Sequence, residues 1–274
     1  MQDYKNQLPL PKNNKDLGQH FLTQLSTILQ ICDSFQVNKE SHGIIEVGPG
    51  PGALTEHLSR KDAVFHVIEK DPRMQEFLQA FLKPEQMHFT DALALTMDEF
   101  IAQYFGGKKI WLVSNLPYNV GSPLFVKFLQ VAAIDQMTLM FQAEVADKIV
   151  PFKTLKNEMN SLMALGQNYF ETQLLLKVPP GHFSPPPKVD SAVITLKRRL
   201  NPAVPLKEFK SYEKFLRLAF SQKRKQLMGI LKAQYKKEQL EATFSKLQLL
   251  NTVRAEALSL EQVQQMYLLL THKE

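Results

Sequence analysis

Ile44-Ile45-Glu46-Val47-Gly48-Pro49-Gly50-Pro51-Gly52-Ala53 decides how the chain is read. Four residues suited to a buried strand run into a turn with glycine at every second position, and residues 54–59 then read as helix. Such glycines let backbone approach a ligand closely, while amides at the helix start face it. Gly48, Gly50 and Ala53 satisfy Gly-x-Gly-x-x-Ala, a spacing that does not by itself separate one nucleotide cofactor from another.

The next strand, Val64-Phe65-His66-Val67-Ile68, ends in Glu69, placed for the hydroxyls of a bound ribose. A helix over 72–82 leads to strand Met87-His88-Phe89-Thr90 and to Asp91, a second acid on the same rim. Glycosidase chemistry or a magnesium site would also use two carboxylates. Because these follow separate strands of one series, nucleoside recognition is the simpler reading. Neither His nor Cys occurs at ligand spacing, so no metal site is expected. The apolar run Ile110-Trp111-Leu112-Val113 reads as a buried parallel strand ending at Ser114. That puts Asn115-Leu116-Pro117-Tyr118 at a carboxyl edge, where ligands bind in open α/β sheets. The Asn115 oxygen and the Leu116 carbonyl suit an exocyclic amine, and Tyr118 suits stacking on its ring. A proline turn whose tyrosine caps the core explains the same four residues taken alone.

Helices over 123–131, 144–150 and 157–167 and strands over 137–141, 172–178 and 189–196 follow. Between the last two strands, residues 179–187 are too rich in proline for regular structure and form a stiff loop with Phe183 at its middle. Asn201-Pro202-Ala203-Val204-Pro205 reads as a linker, and everything beyond it as helix: 212–220, 237–247 and 260–270. A break is expected at Ser221, whose hydroxyl would cap a new helix carrying Lys223-Arg224-Lys225 in its first turn. Cations there oppose the helix dipole, which points to a role outside helix stability.

A chain of 274 residues holds one large core and a smaller module. With 44% hydrophobic and 22% charged residues it has the composition of a soluble globular protein without a membrane segment. Residues 1–15 carry no apolar core and do not read as a secretory signal. Cys32, the only cysteine, cannot form an internal disulfide and fits the reducing cytoplasm. The net charge of +6 resides after residue 200, where 13 Lys and Arg face 7 Asp and Glu, against 20 and 20 before it. This asymmetry favours a polyanion, nucleic acid over membrane; a solvated helical surface is the plainer explanation.

Together the segments resemble the S-adenosylmethionine-dependent ribosomal RNA adenine N6-dimethyltransferases, most closely the bacterial small-subunit type. The resemblance is carried by Gly18-Gln19-His20-Phe21-Leu22, by Glu46 to Gly52, Glu69 and Asp91, by Asn115-Leu116-Pro117-Tyr118-Asn119, by Phe183-Ser184-Pro185-Pro186-Pro187-Lys188-Val189-Asp190-Ser191, and by Phe220-Ser221-Gln222-Lys223-Arg224-Lys225. It implies an α/β, Rossmann-like class I methyltransferase sheet of seven strands, the last antiparallel, over residues 1–200, and a small all-α RNA-binding domain over 201–274. It further implies dimethylation of two adjacent adenosines in a hairpin loop near the 3′ end of small-subunit (16S) rRNA, with a monomer as the expected state. His20 and Leu22 would lie against the cofactor, Gly48, Gly50 and Asn115 would help hold it, Glu69 would bind its ribose and Asp91 its adenine. Asn115, Leu116, Tyr118 and Phe183 would hold the target base, and Lys223, Arg224 and Lys225 the RNA. The chain departs from the usual pattern at Asp16-Leu17 and at Leu165-Gly166-Gln167. Rival readings are the large-subunit methyltransferase of antibiotic resistance, an NAD-dependent oxidoreductase, and a non-catalytic ribosome assembly factor.

Overall fold

In the strand His42–Val47 every residue after His42 is buried, as expected where a sheet is covered on both faces. The computed structural model describes residues 9–12, 18–150 and 158–272. Asp16-Leu17 and the expected helix start at residue 157 lie outside them. The described residues form two compact units, one of residues up to 146 with 173–198, the other of 147–172 with 199 onward. The expected single boundary at 200 therefore needs correction. It lies close to the chain's last crossing, but 147–172 groups with the helices.

In the first unit, β1 (Phe21–Leu22) and α1 (Leu25–Cys32) precede β2 (His42–Val47), α2 (Thr55–Leu58), β3 (Val64–Glu69), α3 (Gln75–Leu78), β4 (Met87–Phe89), α4 (Met97–Phe105), β5 (Lys109–Asn115), α5 (Gly121–Leu129), β6 (Ile134–Gln142) and α6 (Ala143–Asp147). After α7 (Ser161–Tyr169) come β7 (Phe170–Val178), β8 (Phe183–Ser184) and β9 (Ser191–Arg198). The sheet order is β4-β3-β2-β5-β6-β9-β7. Strands β2 to β6 pair in parallel, and β9 runs antiparallel to β6. The chain works outward from β2 toward β4, then starts again on β2's other side with β5. The crevice between the carboxyl ends of β2 and β5 is the switch point at which such sheets take ligands.

Two elements depart from the sequence reading. Helix α4 falls in a stretch left unassigned there, although Met97, Phe100, Ile101 and Phe105 are buried at helical spacing. Phe183–Ser184, expected within a loop, pair with Phe21–Leu22 as the antiparallel ribbon β1–β8, with Leu22 opposite Phe183.

The second unit is helical: α7, α8 (Phe209–Ala219), α9 (Leu227–Leu231), α10 (Lys237–Lys246) and α11 (Leu260–Thr271). Asn160 caps α7 by accepting from the amides of Leu162 and Met163, each at 3.0 Å. Leu165 and Gly166 are buried and Gln167 Nε2 donates to the Ile149 carbonyl at 3.0 Å, so the departure at 165–167 is a packing segment. Ser221 does not cap a helix. Its Oγ donates back to the Leu218 carbonyl at 2.7 Å, which closes the end of α8. Lys223, Arg224 and Lys225 accordingly sit exposed in a turn, and α9 begins only at Leu227, after Gln226. No helix among the described residues is long and apolar enough to cross a membrane.

Candidate active site

The carboxyl ends of β2, β3, β4 and β5 open on a cavity of about 160 Å³. It brings together His20, Leu22, Gly48, Gly50, Glu69, Asp91, Asn115, Leu116 and Tyr118, all singled out in the sequence. Gly48 and Gly50 line it with φ of +69° and +54°, a backbone that side-chain-bearing residues rarely adopt. A Cβ built on Gly48 would meet nothing nearer than the Asn115 carbonyl at 3.9 Å, so the backbone there is open to close approach.

Glu69 ends β3 almost fully buried. Its Oε2 accepts from the Gly50 amide at 3.0 Å and its Oε1 from the Asp71 amide at 2.8 Å, so the acid braces the glycine turn. Burial pushes its carboxyl pKa up, and the two amides pull against that. Asp71 is itself gripped by Arg73, whose Nε donates to Oδ1 at 2.9 Å and Nη2 to Oδ2 at 2.5 Å, and by Gln19 Nε2 at 2.8 Å. Asp91 accepts from the Leu93 amide and from Lys70 Nζ, both at 2.8 Å, and the Lys70 ammonium holds its carboxyl below the usual range.

Residues 18–23 form a strap over this edge. Asn115 Nδ2 donates to the His20 carbonyl at 3.2 Å, which leaves Oδ1 as the amide's acceptor for a ligand. His20 Nδ1–H donates to the Pro185 carbonyl at 2.9 Å, and its ring stacks on Tyr118 with centroids 5.4 Å apart and planes at 27°. The Tyr118 hydroxyl meets Ser191 Oγ at 2.6 Å, so the phenol is held at both ends. Phe183 is the exception among the expected site residues. Its pairing with Leu22 packs it into the core at 4% exposure, beside the cavity lining and not in it. Lys223, Arg224 and Lys225 belong to the other unit.

The sequence reading assigned no role to Glu46, although it lines the cavity at 1% exposure and accepts from Thr55 Oγ1 at 2.7 Å. Burial pushes its carboxyl up to about 8 from an ordinary value of 4.5. The folded chain therefore keeps a proton that the unfolded chain releases, and stability falls as pH rises from 4.5 to about 8. Glu46→Gln keeps the shape and removes this titration. Urea unfolding across that window should show the variant gaining on the native chain as pH rises, and parallel profiles would refute the assignment.

The sheet order, with a glycine turn at its switch point and acids following the next two strands, is that of a Rossmann-like class I methyltransferase fold. The chain belongs to the ribosomal RNA adenine dimethylase family, which it matches over residues 10–272, and is an rRNA adenine dimethyltransferase. Over 257 residues it is 37% identical to the ribosomal RNA small subunit methyltransferase A of Clostridium botulinum, covering 92% of this chain and 91% of that one. The protein of the same name from Listeria monocytogenes is 36% identical over 228 residues, 81% of this chain and 76% of that one. A dimethyladenosine transferase from Plasmodium falciparum shares the fold with a TM-score of 0.73 at 21% identity, over 90% of this chain and 96% of its own. The 23S rRNA methyltransferase ErmE does so at 0.68 and 24%, over 92% and 100%. The family match sets aside the NAD-dependent reading.

Proposed function

We propose that the chain uses S-adenosylmethionine to dimethylate N6 of two adjacent adenosines in a hairpin loop near the 3′ end of small-subunit rRNA. It acts as a monomer on cytoplasmic subunit precursors. The observation that carries the chemistry is the placement of Asn115 in the cavity lining, with Nδ2 donating to the strap so that Oδ1 is the side chain's acceptor. The small-subunit assignment follows the names of the relatives.

The residues present fit the cofactor. Gly48 leaves backbone open to its amino-acid part, Glu69 presents its carboxylate in the cavity lining for the ribose hydroxyls, and Asp91 follows the next strand for the adenine. When bound, S-adenosylmethionine supplies a sulfonium methyl that is already strongly electrophilic. The protein's task is then the nucleophile, because the N6 lone pair is delocalised into the ring. Asn115 Oδ1 and the Leu116 carbonyl would accept hydrogen bonds from its two N–H groups and draw the amine toward tetrahedral geometry. This stabilises positive charge as it grows on nitrogen and orients the lone pair, with no strong base required. The proton displaced by the methyl group leaves to solvent after transfer. Tyr118, anchored by Ser191 and His20, offers an aromatic surface to a base that has left its stack.

Methyl transfer to under-methylated small subunits, large subunits and naked RNA, with mapping of the product, tests the reading. Labelling of adenines in large subunits alone would overturn it. The exposed Lys223, Arg224 and Lys225 are the proposed phosphate contacts. Neutralising all three should flatten the slope of log affinity for subunits against log salt by roughly 2–3, leaving cofactor affinity unchanged. A wild-type slope would make the cluster a solvated surface.

A further inference from the structure

Helix α5 leaves the 115–118 loop within a few residues and carries Leu124, which lines the cavity at 3% exposure. Three residues further, on the same helix face, Lys127 Nζ donates to the Leu93 carbonyl at 2.7 Å and to the Leu95 carbonyl at 2.5 Å. Both carbonyls belong to the turn that follows Asp91. The amides of Ala94 and Leu95 donate to the Asp91 carbonyl at 2.9 and 3.0 Å, and the Leu93 amide donates to Asp91 Oδ1 at 2.8 Å. These bonds satisfy the turn's amides and leave two carbonyls to a donor from outside. One half-buried cation serves both. On the far side Lys70 Nζ holds Asp91 Oδ2 at 2.8 Å, so the turn is gripped from two elements. Asp91, Ala92 and Leu93 all line the cavity.

We propose that Lys127 is a positioning residue for cofactor binding: it clamps the 91–95 turn from α5, so that the turn is preset for the cofactor's nucleoside. The inference rests on the cofactor reading above. A charged donor shared by two carbonyls is among the stronger hydrogen-bonding arrangements, and ordering the turn before the ligand arrives removes an entropic cost from binding. Because the 115–118 loop leads into the first turn of α5 and Lys127 stands in its last turn, one helix joins the two halves of the site.

Calorimetric titration of S-adenosylhomocysteine into the native chain, Lys127→Met and Lys127→Arg tests this. Lys127→Met should bind about tenfold more weakly and Lys127→Arg close to the native chain, since guanidinium can again serve two acceptors. In steady state KM for the cofactor should rise by the same factor, with kcat at saturation within about twofold of native. Hydrogen exchange should quicken at amides 92–96 of Lys127→Met and nowhere else. Unchanged affinity in Lys127→Met would overturn the proposal. Equal weakening in both variants with a matching loss of melting temperature would reduce the residue to a general stabiliser and overturn it as well. Should Lys127→Met fail to fold, Lys127→Gln carries the same comparison. A native chain that binds no S-adenosylhomocysteine would sink the cofactor reading instead.

Discussion

Asn115→Ala is expected to slow single-turnover methyl transfer by about 10²–10³-fold at saturating substrates, the range seen when one preorganised polar group is removed from a developing charge. The amide does two jobs in this mechanism: Nδ2 tethers the His20 carbonyl, and Oδ1 is the acceptor assigned to the target amine. Asn115→Asp keeps the acceptor and loses the tether, so it separates them. If activation of the amine dominates, the aspartate variant should recover much of the transfer rate while binding cofactor less tightly through a loosened strap. If it is as slow as alanine at saturation, the tether carries the effect and the mechanism given above fails.

Glu69→Ala should weaken cofactor binding by more than tenfold, since hydrogen bonds to a charged group typically contribute about 1.5–3 kcal/mol. The more telling variant is Glu69→Gln. Each carboxylate oxygen receives a backbone N–H, from Gly50 and from Asp71, and an amide can satisfy only one of them. Its NH₂ would face the other donor. Glutamine should therefore resemble alanine in calorimetry with S-adenosylhomocysteine. A glutamine variant that binds like the native chain would show that the acid neither braces the turn nor needs its charge.

What could be read from residues alone followed the range of the interactions. The strands β2, β3 and β5 announce themselves as apolar runs because a sheet covered on both faces buries successive residues, as at Ile44, Ile45, Glu46 and Val47. The acids at strand ends and the Asn115 loop follow from that placement, and the cavity unites them. The ribbon of Leu22 and Phe183 was not legible. Two residues show no periodicity, and the partner lies far along the chain. Phe183 was consequently read as a free ring in a loop when the pairing buries it. Ser221 was ambiguous for another reason. A serine after a helix can cap forward or bond backward, and the backward bond to Leu218 is what forms. Glu46 passed as an ordinary strand residue because only the packing around it reveals a carboxyl removed from water.

The strap over the site is tied down from remote chain. His20 reaches Pro185 across 165 residues, and Thr23 bonds the His182 carbonyl through its amide at 2.8 Å. None of these ties can exist until the chain has been made through the stretch that precedes β9. A nascent chain on the ribosome can lay down β2 to β6 in parallel as they emerge and tie the strap to Asn115, but the strap lacks its bonds to 182–185 throughout that time. The enzyme is thus completed late in its own synthesis, when the polypeptide doubles back to fasten its beginning.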